Sequence, residues 1–343
     1  MPKKILILPD AGPGNPFQYL MIDWLRQHRY EVVTGGRRRF FATFAAVRRH
    51  RPAVVYYDWI QSFILGKTLL VTLLKMAAFW LELQYLTRVQ KVPVVHTLHN
   101  LRNHAGRWWA LEKIVYRSFL RQCSRIRVYS EATRDTAAER FGLDKKKILV
   151  IPDIPYHHHY PRGADRPAGR AHLHLPPGAF VYLFLGMVKP YKGVEELVDA
   201  FAGTAGPDDY LVIGGASDLP AYAAALAGRI GGHPRIRFHN QFIPADRVQY
   251  YYAAADVVVL PFRNIEHSGS VDLAMSFARP VITLRTPAHG RLLAHQDALL
   301  FGSTEELAGK MALARTLDLD ALGGLNFRKA DHQEYRELLR LFE

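Results

Sequence analysis

The sequence predicts an α/β fold built from two doubly wound parallel sheets. Two observations lead to this prediction: short β-rich runs alternate with helical runs along the chain, and a segment rich in Pro, Gly and His interrupts the alternation near the middle. The 343 residues suit two domains of ordinary size. A hydrophobic content of 49% can bury two cores, which excludes a disordered protein.

The first half of the chain contains the elements of one sheet. Its strands are predicted at 4–9, 31–35, 53–58, 93–100, 126–130 and 147–152, and its helices include 16–28, a long apolar segment at 63–85, and 108–122. Strands that are apolar on both faces and joined by helices are typical of a parallel sheet that is covered on both sides.

The second half repeats this scheme. Its strands are predicted at 180–186, 210–215, 236–240, 256–261, 280–284 and 298–301, and its helices at 193–203, 219–230 and 270–278. We therefore expect a first domain at 1–160, a linker at 161–178, a second domain at 179–325 and an amphipathic terminal helix at 326–343. Ligands of such sheets bind at the carboxyl ends of the strands, so we expect a cleft between the domains.

The positive charge is concentrated in the first half. Residues 1–165 hold 27 Lys and Arg against 12 Asp and Glu, a net charge of +15, whereas residues 166–343 hold 18 against 19, a net charge of −1. This asymmetry indicates an anionic partner for the first domain: a nucleic acid, an anionic membrane or a phosphorylated substrate. The first-half aromatic residues lie mostly in strands and in the apolar segment, which argues against nucleic acid.

The apolar segment at 63–85 is long enough to span a membrane, but Lys67, Lys75 and Glu82 interrupt it. Core packing and an interfacial helix both remain open; the basic runs at 37–39 and 48–51 favour contact with anionic headgroups. The single cysteine, Cys123, cannot form a disulfide within the chain, and the first residues read as a strand rather than a secretory leader. We expect a reducing, cytoplasmic compartment.

Two strand-to-helix turns in the second half are suited to phosphate. In the first, LFLGMVKPYKGVEEL, Lys189 and Lys192 follow a glycine-ended strand, where free backbone amides and lysines can hold a diphosphate. Solvated lysines in an ordinary loop are the alternative. In the second turn, hydroxylated and small residues start a helix after Arg263 and Glu266, and an N-cap without a ligand is the alternative there. These helix-start residues are Ser268, Gly269 and Ser270.

Three blocks of sequence, PVVHTLHNLRNH, VKPYKGVE and HSGSVDLAMSFARPVI, together resemble nucleotide-sugar glycosyltransferases of the B fold. More specifically they are similar to the β-mannosyltransferases that finish the lipid-linked repeat unit of xanthan-type bacterial exopolysaccharides. The resemblance implies two Rossmann-like domains facing a central cleft. The first domain would take the acceptor and face the membrane, the second would bind the nucleotide sugar, and the terminal helix would cross back to the first domain.

The same resemblance implies an enzyme that moves mannose from GDP-mannose to a polyprenyl-diphosphate-linked oligosaccharide at the inner face of the bacterial cell membrane. A UDP-sugar donor, such as UDP-glucuronic acid, is the alternative, and a non-catalytic lipid- or nucleic-acid-binding protein is the alternative of another class. No cofactor or metal is expected, and the sequence contains no Asp-x-Asp motif. Ile265 and Leu273 occupy the positions of a glutamate pair found in many retaining relatives, so the resemblance favours an inverting mechanism.

Inversion requires a general base near the acceptor hydroxyl, which the resemblance places in the first domain. Three strand-end residues qualify: Asp58, His99 and Glu131. A carboxylate at a strand end is a natural base, whereas histidine has the better-matched pKa, so Asp58 and His99 stay equal candidates ahead of Glu131.

Further residues are expected to contact the acceptor or a phosphate. They lie in an early glycine-containing loop, beyond the fourth strand and at the start of the His-rich segment: Gly12, Gly14, Asn15, Asn100, His104, His157 and His159. Adjacent histidines in an extended segment point in alternate directions, and no Cys or carboxylate cluster in the sequence completes a ligand set, so we predict no metal site.

Overall fold

The computed structural model describes residues 2–12, 15–36, 40–101, 108–265, 267–332 and 335–343. The chain divides into two compact units, Met1–Ile154 with Glu334–Glu343, and Pro155–Gln333. Each unit is built on a six-stranded parallel sheet flanked by helices. The predicted α/β class with two doubly wound, Rossmann-like sheets is confirmed.

In the first unit the strand order is β2-β1-β3-β4-β5-β6. The strands are β1 (Lys4–Leu8), β2 (Glu31–Thr34), β3 (Val54–Tyr57), β4 (Val94–Thr97), β5 (Arg125–Val128) and β6 (Ile148–Val150). The helices are α1 (Pro16–Gln27), α2 (Ala42–His50), α3 (Gln61–Ile64), α4 (Leu69–Gln84), α5 (Trp109–Gln122) and α6 (Glu131–Phe141).

Both faces of this sheet are buried. Along β1, Leu6 and Leu8 belong to one hydrophobic cluster and Ile5 and Ile7 to the cluster on the other face, and all four are fully buried. This burial on both faces explains why the strands read as continuous apolar runs. Side chains that follow the strands are therefore the ones free to meet a ligand.

The apolar segment predicted as one helix at 63–85 is divided in the structure. Helix α3 ends at Ile64, and α4 begins after Thr68, whose hydroxyl accepts a hydrogen bond from Val71 N at 3.3 Å. Gly66 lies in the break, where a Cβ atom would come within 2.5 Å of the Val71 side chain. Helix α4 continues through a π-helical turn to Val89 and could cross a membrane by length and composition alone, yet Phe79 on one face is buried in the core.

In the second unit the strand order is β12-β11-β10-β7-β8-β9. The strands are β7 (Phe180–Leu185), β8 (Asp209–Gly214), β9 (Ile236–His239), β10 (Val257–Leu260), β11 (Val281–Leu284) and β12 (Leu300–Phe301). The helices are α7 (Arg166–His172), α8 (Val194–Thr204), α9 (Pro220–Ile230), α10 (Ala245–Ala254), α11 (Gly269–Ser276), α12 (Pro287–Leu292), α13 (Leu307–Ala314) and α14 (Leu319–Asp331).

Two further predicted segments differ from the structure. The expected linker at 161–178 contains α7, which packs on α10 because Gly169 lets the two backbones approach: a Cβ there would lie 2.5 Å from Ala254 N. The expected terminal helix at 326–343 is instead the end of α14 and a separate 3₁₀ helix, Tyr335–Leu341. Leu338, Leu341 and Phe342 are buried in the first unit's core.

Candidate active site

The first unit gathers polar and aromatic side chains at the carboxyl edge of its sheet. Asp58 directly follows β3, His99 lies two residues beyond β4, and Tyr129 directly follows β5. Because β3, β4 and β5 are neighbours in a parallel sheet, these three side chains are brought together. We call Asp58, His99, Tyr129 and the two residues Gln18 and Tyr56 that support them the dyad cluster.

An aspartate and a histidine are paired at its centre. His99 Nε2 lies 2.6 Å from Asp58 Oδ1, the distance of a strong hydrogen bond to a carboxylate. The Asp58 side chain is completely buried, whereas 18% of the His99 side chain is exposed. Of the two equal candidates for the base, His99 is the one that an acceptor can reach.

The carboxylate of Asp58 is held by further donors. Gln18 Nε2 donates to Asp58 Oδ2 at 2.9 Å, and the Tyr56 hydroxyl donates to Oδ1 at 3.2 Å. Gln18 is itself fixed, because its Oε1 accepts a hydrogen bond from Ala11 N at 2.8 Å. With both oxygens hydrogen-bonded and no exposed surface, Asp58 is placed to fix the orientation of the imidazole.

The imidazole of His99 is held in one orientation by aromatic neighbours. The Trp59 ring stacks on it with centroids 4.8 Å apart and an angle of 12° between the planes, and Phe17 meets it edge-on at 5.4 Å. The Tyr129 hydroxyl lies 3.2 Å from His99 Nδ1. Since Nε2 carries the hydrogen that faces Asp58, Nδ1 has the lone pair, and it is the atom that can take a proton.

Tyr129 is a donor to that lone pair in the present arrangement. Burial raises the pKa of its hydroxyl well above the ordinary value for tyrosine, so the group stays protonated. An acceptor hydroxyl that approaches Nδ1 would take the place of the Tyr129 hydroxyl or bond alongside it. Sequence reasoning missed Gln18, Tyr56, Trp59 and Tyr129; the strand-end position of Tyr129 was the one signal that could have indicated it.

The early loop of this unit is closed by Asp10. Its carboxylate accepts hydrogen bonds from Gly12 N, at 2.8 Å, and from the hydroxyls of Thr34 and Tyr19, at 2.8 and 3.1 Å. Burial alone would raise the pKa of Asp10, but these hydrogen bonds hold it below the ordinary value. Gly12 adopts a φ of +81°. Asn15 is the N-cap of α1, but its side-chain amide forms no capping hydrogen bond with the helix.

Glu131, the third candidate for the base, has its ion pair outside the dyad cluster. Glu131 starts α6 and pairs with Arg134 one turn later, with 44% of its side chain exposed. Asn100 is partly buried, next to His99 in the chain. Gly14 and His104 lie outside the described residues. Their roles, like that of Glu131, stay predictions.

The second unit places Lys192 at the carboxyl end of β7, in the 3₁₀ turn Pro190–Lys192. Its side chain is 8% exposed and its ammonium lies 4.5 Å from the centre of the Phe262 ring. Among the described residues, no carboxylate lies within 4 Å of that ammonium. Burial, with a smaller effect of Lys189, lowers the pKa of Lys192 to about 8. A buried cation that no described carboxylate neutralises is suited to an anionic ligand.

Glycine is required at the turn that holds Lys192. Gly193 has a φ of +69°, and a Cβ atom there would lie 1.9 Å from Pro261 O in the loop after β10. Any other residue would push apart the loops that follow β7 and β10. These two loops carry Lys192 and the start of α11, so the close approach brings the two predicted phosphate turns together.

The start of α11 has the predicted form. Ser268 is the N-cap, 5% exposed, and its hydroxyl accepts a hydrogen bond from Ser270 N at 3.3 Å. Gly269 is the first helical residue, and a Cβ atom there would lie 2.8 Å from the Tyr156 hydroxyl. A Cβ atom on Gly186, at the end of β7, would contact the Ser270 hydroxyl at 3.4 Å. We call Gly186, Lys192 and Ser268 to Ser270 the donor-loop cluster.

Two other predicted donor residues are engaged elsewhere. Arg263 forms ion pairs with Glu195 and Glu196 of α8, at 2.8 and 2.6 Å. Lys189 pairs with Asp218 at 3.0 Å, but 27% of its side chain remains exposed. Arg263 would have to leave two carboxylates to reach a phosphate, whereas Lys189 would leave one that is open to solvent. Glu266 lies outside the described residues.

The histidines at the start of the second unit separate into two environments. The His157 side chain is 5% exposed, lies 3.0 Å from Asp331 through Nε2, and packs on the Phe327 ring at 5.2 Å. Burial lowers the pKa of His157 below the ordinary value for histidine, although Asp331 acts in the opposite direction. His159 is exposed and meets Tyr160 edge-on at 4.9 Å. The contact of either residue with a phosphate stays a prediction.

Comparisons with known families agree with this architecture. Residues 179–315 match the family described as glycosyl transferases group 1, and residues 73–153 match glycosyltransferase family 4. The first match covers the strands and helices of the donor-loop cluster, and the second covers β4, β5 and His99.

Two individual relatives have sequence identities of 28% and 31% to this chain, each over part of its length. A GDP-mannose:glycolipid 4-beta-D-mannosyltransferase from Xanthomonas campestris is 28% identical over 244 residues, which are 71% of this chain and 64% of that protein. A D-inositol 3-phosphate glycosyltransferase from Nocardia farcinica is 31% identical over 204 residues, 53% of this chain and 45% of its own. The chain thus spans less than two thirds of either relative's length.

A solved structure is similar along the whole chain. Anabaena HepE in complex with UDP and glucose superposes with a TM-score of 0.75 at 17% sequence identity, covering 100% of this chain and 99% of its own. At that identity the likeness concerns the fold.

Proposed function

Since the chain belongs to the glycosyltransferases of the B fold, we propose that it transfers a sugar from a nucleotide-sugar donor to an acceptor hydroxyl with inversion at the anomeric carbon. The observation that carries this proposal is the Asp58–His99 pair at the carboxyl edge of the first sheet, with the imidazole accessible and the carboxylate buried. That arrangement is suited to a general base.

The dyad cluster supplies the base for a single displacement. His99 Nδ1 takes the proton of the acceptor hydroxyl, and the hydroxyl oxygen forms a bond to the anomeric carbon of the donor sugar. The bond from that carbon to the donor phosphate breaks, and the nucleoside diphosphate leaves with the electron pair. The imidazolium that forms is stabilised by the Asp58 carboxylate 2.6 Å from Nε2.

The donor-loop cluster is suited to the leaving diphosphate. Lys192 provides a positive charge from a largely apolar site, and the first amides of α11 provide the positive end of a helix dipole. Together they can neutralise the charge that develops on the diphosphate without a metal ion. We therefore propose a metal-independent transferase, with Lys189 as a second, more mobile cation.

We propose GDP-mannose as the donor. The Xanthomonas relative is a GDP-mannose:glycolipid mannosyltransferase, which supports this choice. HepE was solved with UDP, which keeps a UDP-sugar, including UDP-glucuronic acid, as the alternative. Calorimetric titration with GDP, GDP-mannose, UDP, UDP-glucose and UDP-glucuronic acid, with and without Mg²⁺, decides between them. A response to UDP species alone would replace the donor, and no response to any nucleotide would favour a non-catalytic protein.

We propose a polyprenyl-diphosphate-linked glycan of exopolysaccharide synthesis as the acceptor, reached from the cytoplasmic face of a bacterial membrane. The support is the outer face of α4, where large apolar side chains recur at helical spacing. Leu70, Leu73, Leu74, Trp80 and Leu81 are 45–67% exposed. A stripe of this kind is suited to the boundary between headgroups and acyl chains.

Basic residues accompany this apolar face. Helix α2 carries Arg48 and Arg49 and is joined to α4 because Phe44 N donates a hydrogen bond to Glu82 at 2.8 Å and the Phe44 ring packs on Tyr85 at 4.9 Å. Cations beside an exposed apolar helix are attracted to anionic lipids. We propose that the first unit binds the membrane surface peripherally through α2 and α4.

The base assignment has its own test. His99→Gln should abolish transfer while leaving nucleotide affinity unchanged, because the dyad cluster and the donor-loop cluster belong to different units. Glu131→Gln is the matched control, since Glu131 is a strand-end acid outside the cluster. A loss of transfer in Glu131→Gln with activity retained in His99→Gln would reverse the assignment.

A further inference from the structure

The chain enters and leaves the second unit through two segments that lie side by side. The 3₁₀ helix Tyr156–His158 follows the entry at residue 155, and α14 ends at Asp331, just before the exit. One ligating atom from each of His157, His158 and Asp331 lies within 4.8 Å of the other two. Two imidazoles and a carboxylate are a ligand set that suits zinc and similar dications.

The buried histidine of this group lacks the hydrogen bonds that its burial demands. The His157 side chain is 5% exposed, yet neither of its ring nitrogens has a hydrogen-bond partner in good geometry among the described residues. Nε2 forms a 3.0 Å ion-pair contact with Asp331 Oδ1, and Nδ1 has no partner among the described residues. Buried ring nitrogens are normally satisfied, so this arrangement calls for another partner.

A cation bound by both residues accounts for the 3.0 Å distance between His157 Nε2 and Asp331 Oδ1. Zinc binds nitrogen and oxygen ligands at about 2.0 Å, and tetrahedral geometry then places two ligand atoms roughly 3.3 Å apart. The distance between His157 Nε2 and Asp331 Oδ1, 3.0 Å, is close to that spacing. Two atoms that bind the same metal need no hydrogen atom between them. The Phe327 ring packs on His157 at 5.2 Å and fixes the imidazole plane, as supporting contacts do at metal centres.

We propose that His157, His158 and Asp331 bind one transition-metal dication, with zinc as the leading candidate and water completing the coordination. This differs from the expectation drawn from the sequence, in which neighbouring histidines point apart and no carboxylate completes the set. In the structure a 3₁₀ turn replaces the extended segment, bringing the rings to 4.0 Å between centroids, and α14 supplies the acid.

The metal would have a structural role and not a catalytic one. It would join the first residues of the second unit to the last turn of α14, so that both ends of the unit are tied at one point. Binding to the folded chain alone would raise the stability of the second unit with increasing metal concentration.

Equilibrium dialysis of the metal-stripped full chain against Zn²⁺, with metal content measured by mass spectrometry, tests the site. We expect one Zn²⁺ per chain in the wild type, and at least a tenfold weaker affinity in His158→Ala and in Asp331→Asn, two variants at exposed positions. His159→Ala removes the neighbouring exposed histidine, which is outside the group, and should keep the wild-type affinity.

Co²⁺ substitution provides a second readout, because a bound Co²⁺ in a low-symmetry nitrogen and oxygen site shows intense visible absorption. The band should appear in the wild type and in His159→Ala and be absent in the other two variants. Absence of binding by the wild type, or equal affinity in all three variants, would overturn the proposal. Thermal unfolding without metal verifies that the variants are folded.

Discussion

Replacing Lys192 with methionine should stabilise the ligand-free protein and weaken nucleotide binding. Lys192 is 8% exposed and has a pKa lowered from 10.5 to about 8, chiefly by burial. At 1.36 kcal/mol per pKa unit, holding its charge in the folded state costs about 3 kcal/mol. Methionine keeps the contact with Phe262 and removes the charge, so the unfolding free energy of the second unit should rise by up to that amount at pH 7.

The pH dependence gives the sign of the effect. Because the pKa is lower in the folded chain than in the unfolded chain, the cost of the charge is fully present below about pH 8 and disappears as the pH rises towards 10.5. The difference between Lys192→Met and the wild type should therefore shrink over this interval. Lys189→Met is the control: Lys189 is paired with Asp218 at 3.0 Å and is 27% exposed, so its removal should give no such gain.

Chemical denaturation at pH 7 and at higher pH measures the stability, and calorimetry with the nucleotide diphosphate measures the affinity. The lost charged contact is worth about 2 kcal/mol, a roughly thirty-fold weaker affinity. A Lys192→Met variant that is no more stable than the wild type at pH 7, or that binds the nucleotide equally well, would refute this account of the site.

Three further outcomes are expected. Asp58→Asn should lower kcat roughly a hundred-fold or more and leave the donor KM unchanged in steady-state assays, because His99 loses the charge that stabilises its imidazolium. Leu70→Glu should weaken binding to anionic vesicles in co-sedimentation, whereas Phe242→Glu, at a similarly exposed position of the other unit, should not; equal effects would contradict the assignment of α4. Burial raises the pKa of Glu82 to about 7, so the folded protein loses stability as pH rises from about 4.5 to 7, and Glu82→Gln should gain Tm over the wild type across that range.

The fold was predictable because both sheets are buried on both faces. Apolar strands such as β1 and β7 bury the side chains of both faces when helices cover the sheet on both sides. The alternation of such strands with helical segments is typical of the doubly wound class. Where an element depends on one local contact, the sequence was less informative. The break before α4 depends on Gly66 and Thr68, and an apolar pattern alone does not reveal it.

The candidate site was predictable to the level of strand ends. Asp58 and His99 could be identified because each follows a buried strand, but their division of roles depends on which side chain is exposed, and burial at a sheet edge is a tertiary property. Gln18 lies on a helix face and Trp59 in a loop, and no periodicity marks the stacking of Trp59 on the imidazole. The approach of Asp331 to His157 joins distant parts of the chain, beyond the reach of local patterns.

The dyad cluster is assembled from separate connections of one sheet. Asp58, His99 and Tyr129 each follow a different strand, and Gln18 comes from helix α1, in the connection between β1 and β2. Substitutions further along these connections can therefore change the surroundings of the His99 imidazole while its contacts with Asp58 and Trp59 keep it in place. Under the proposed function, changes in these connections would alter the acceptor preference before they alter the proton transfer.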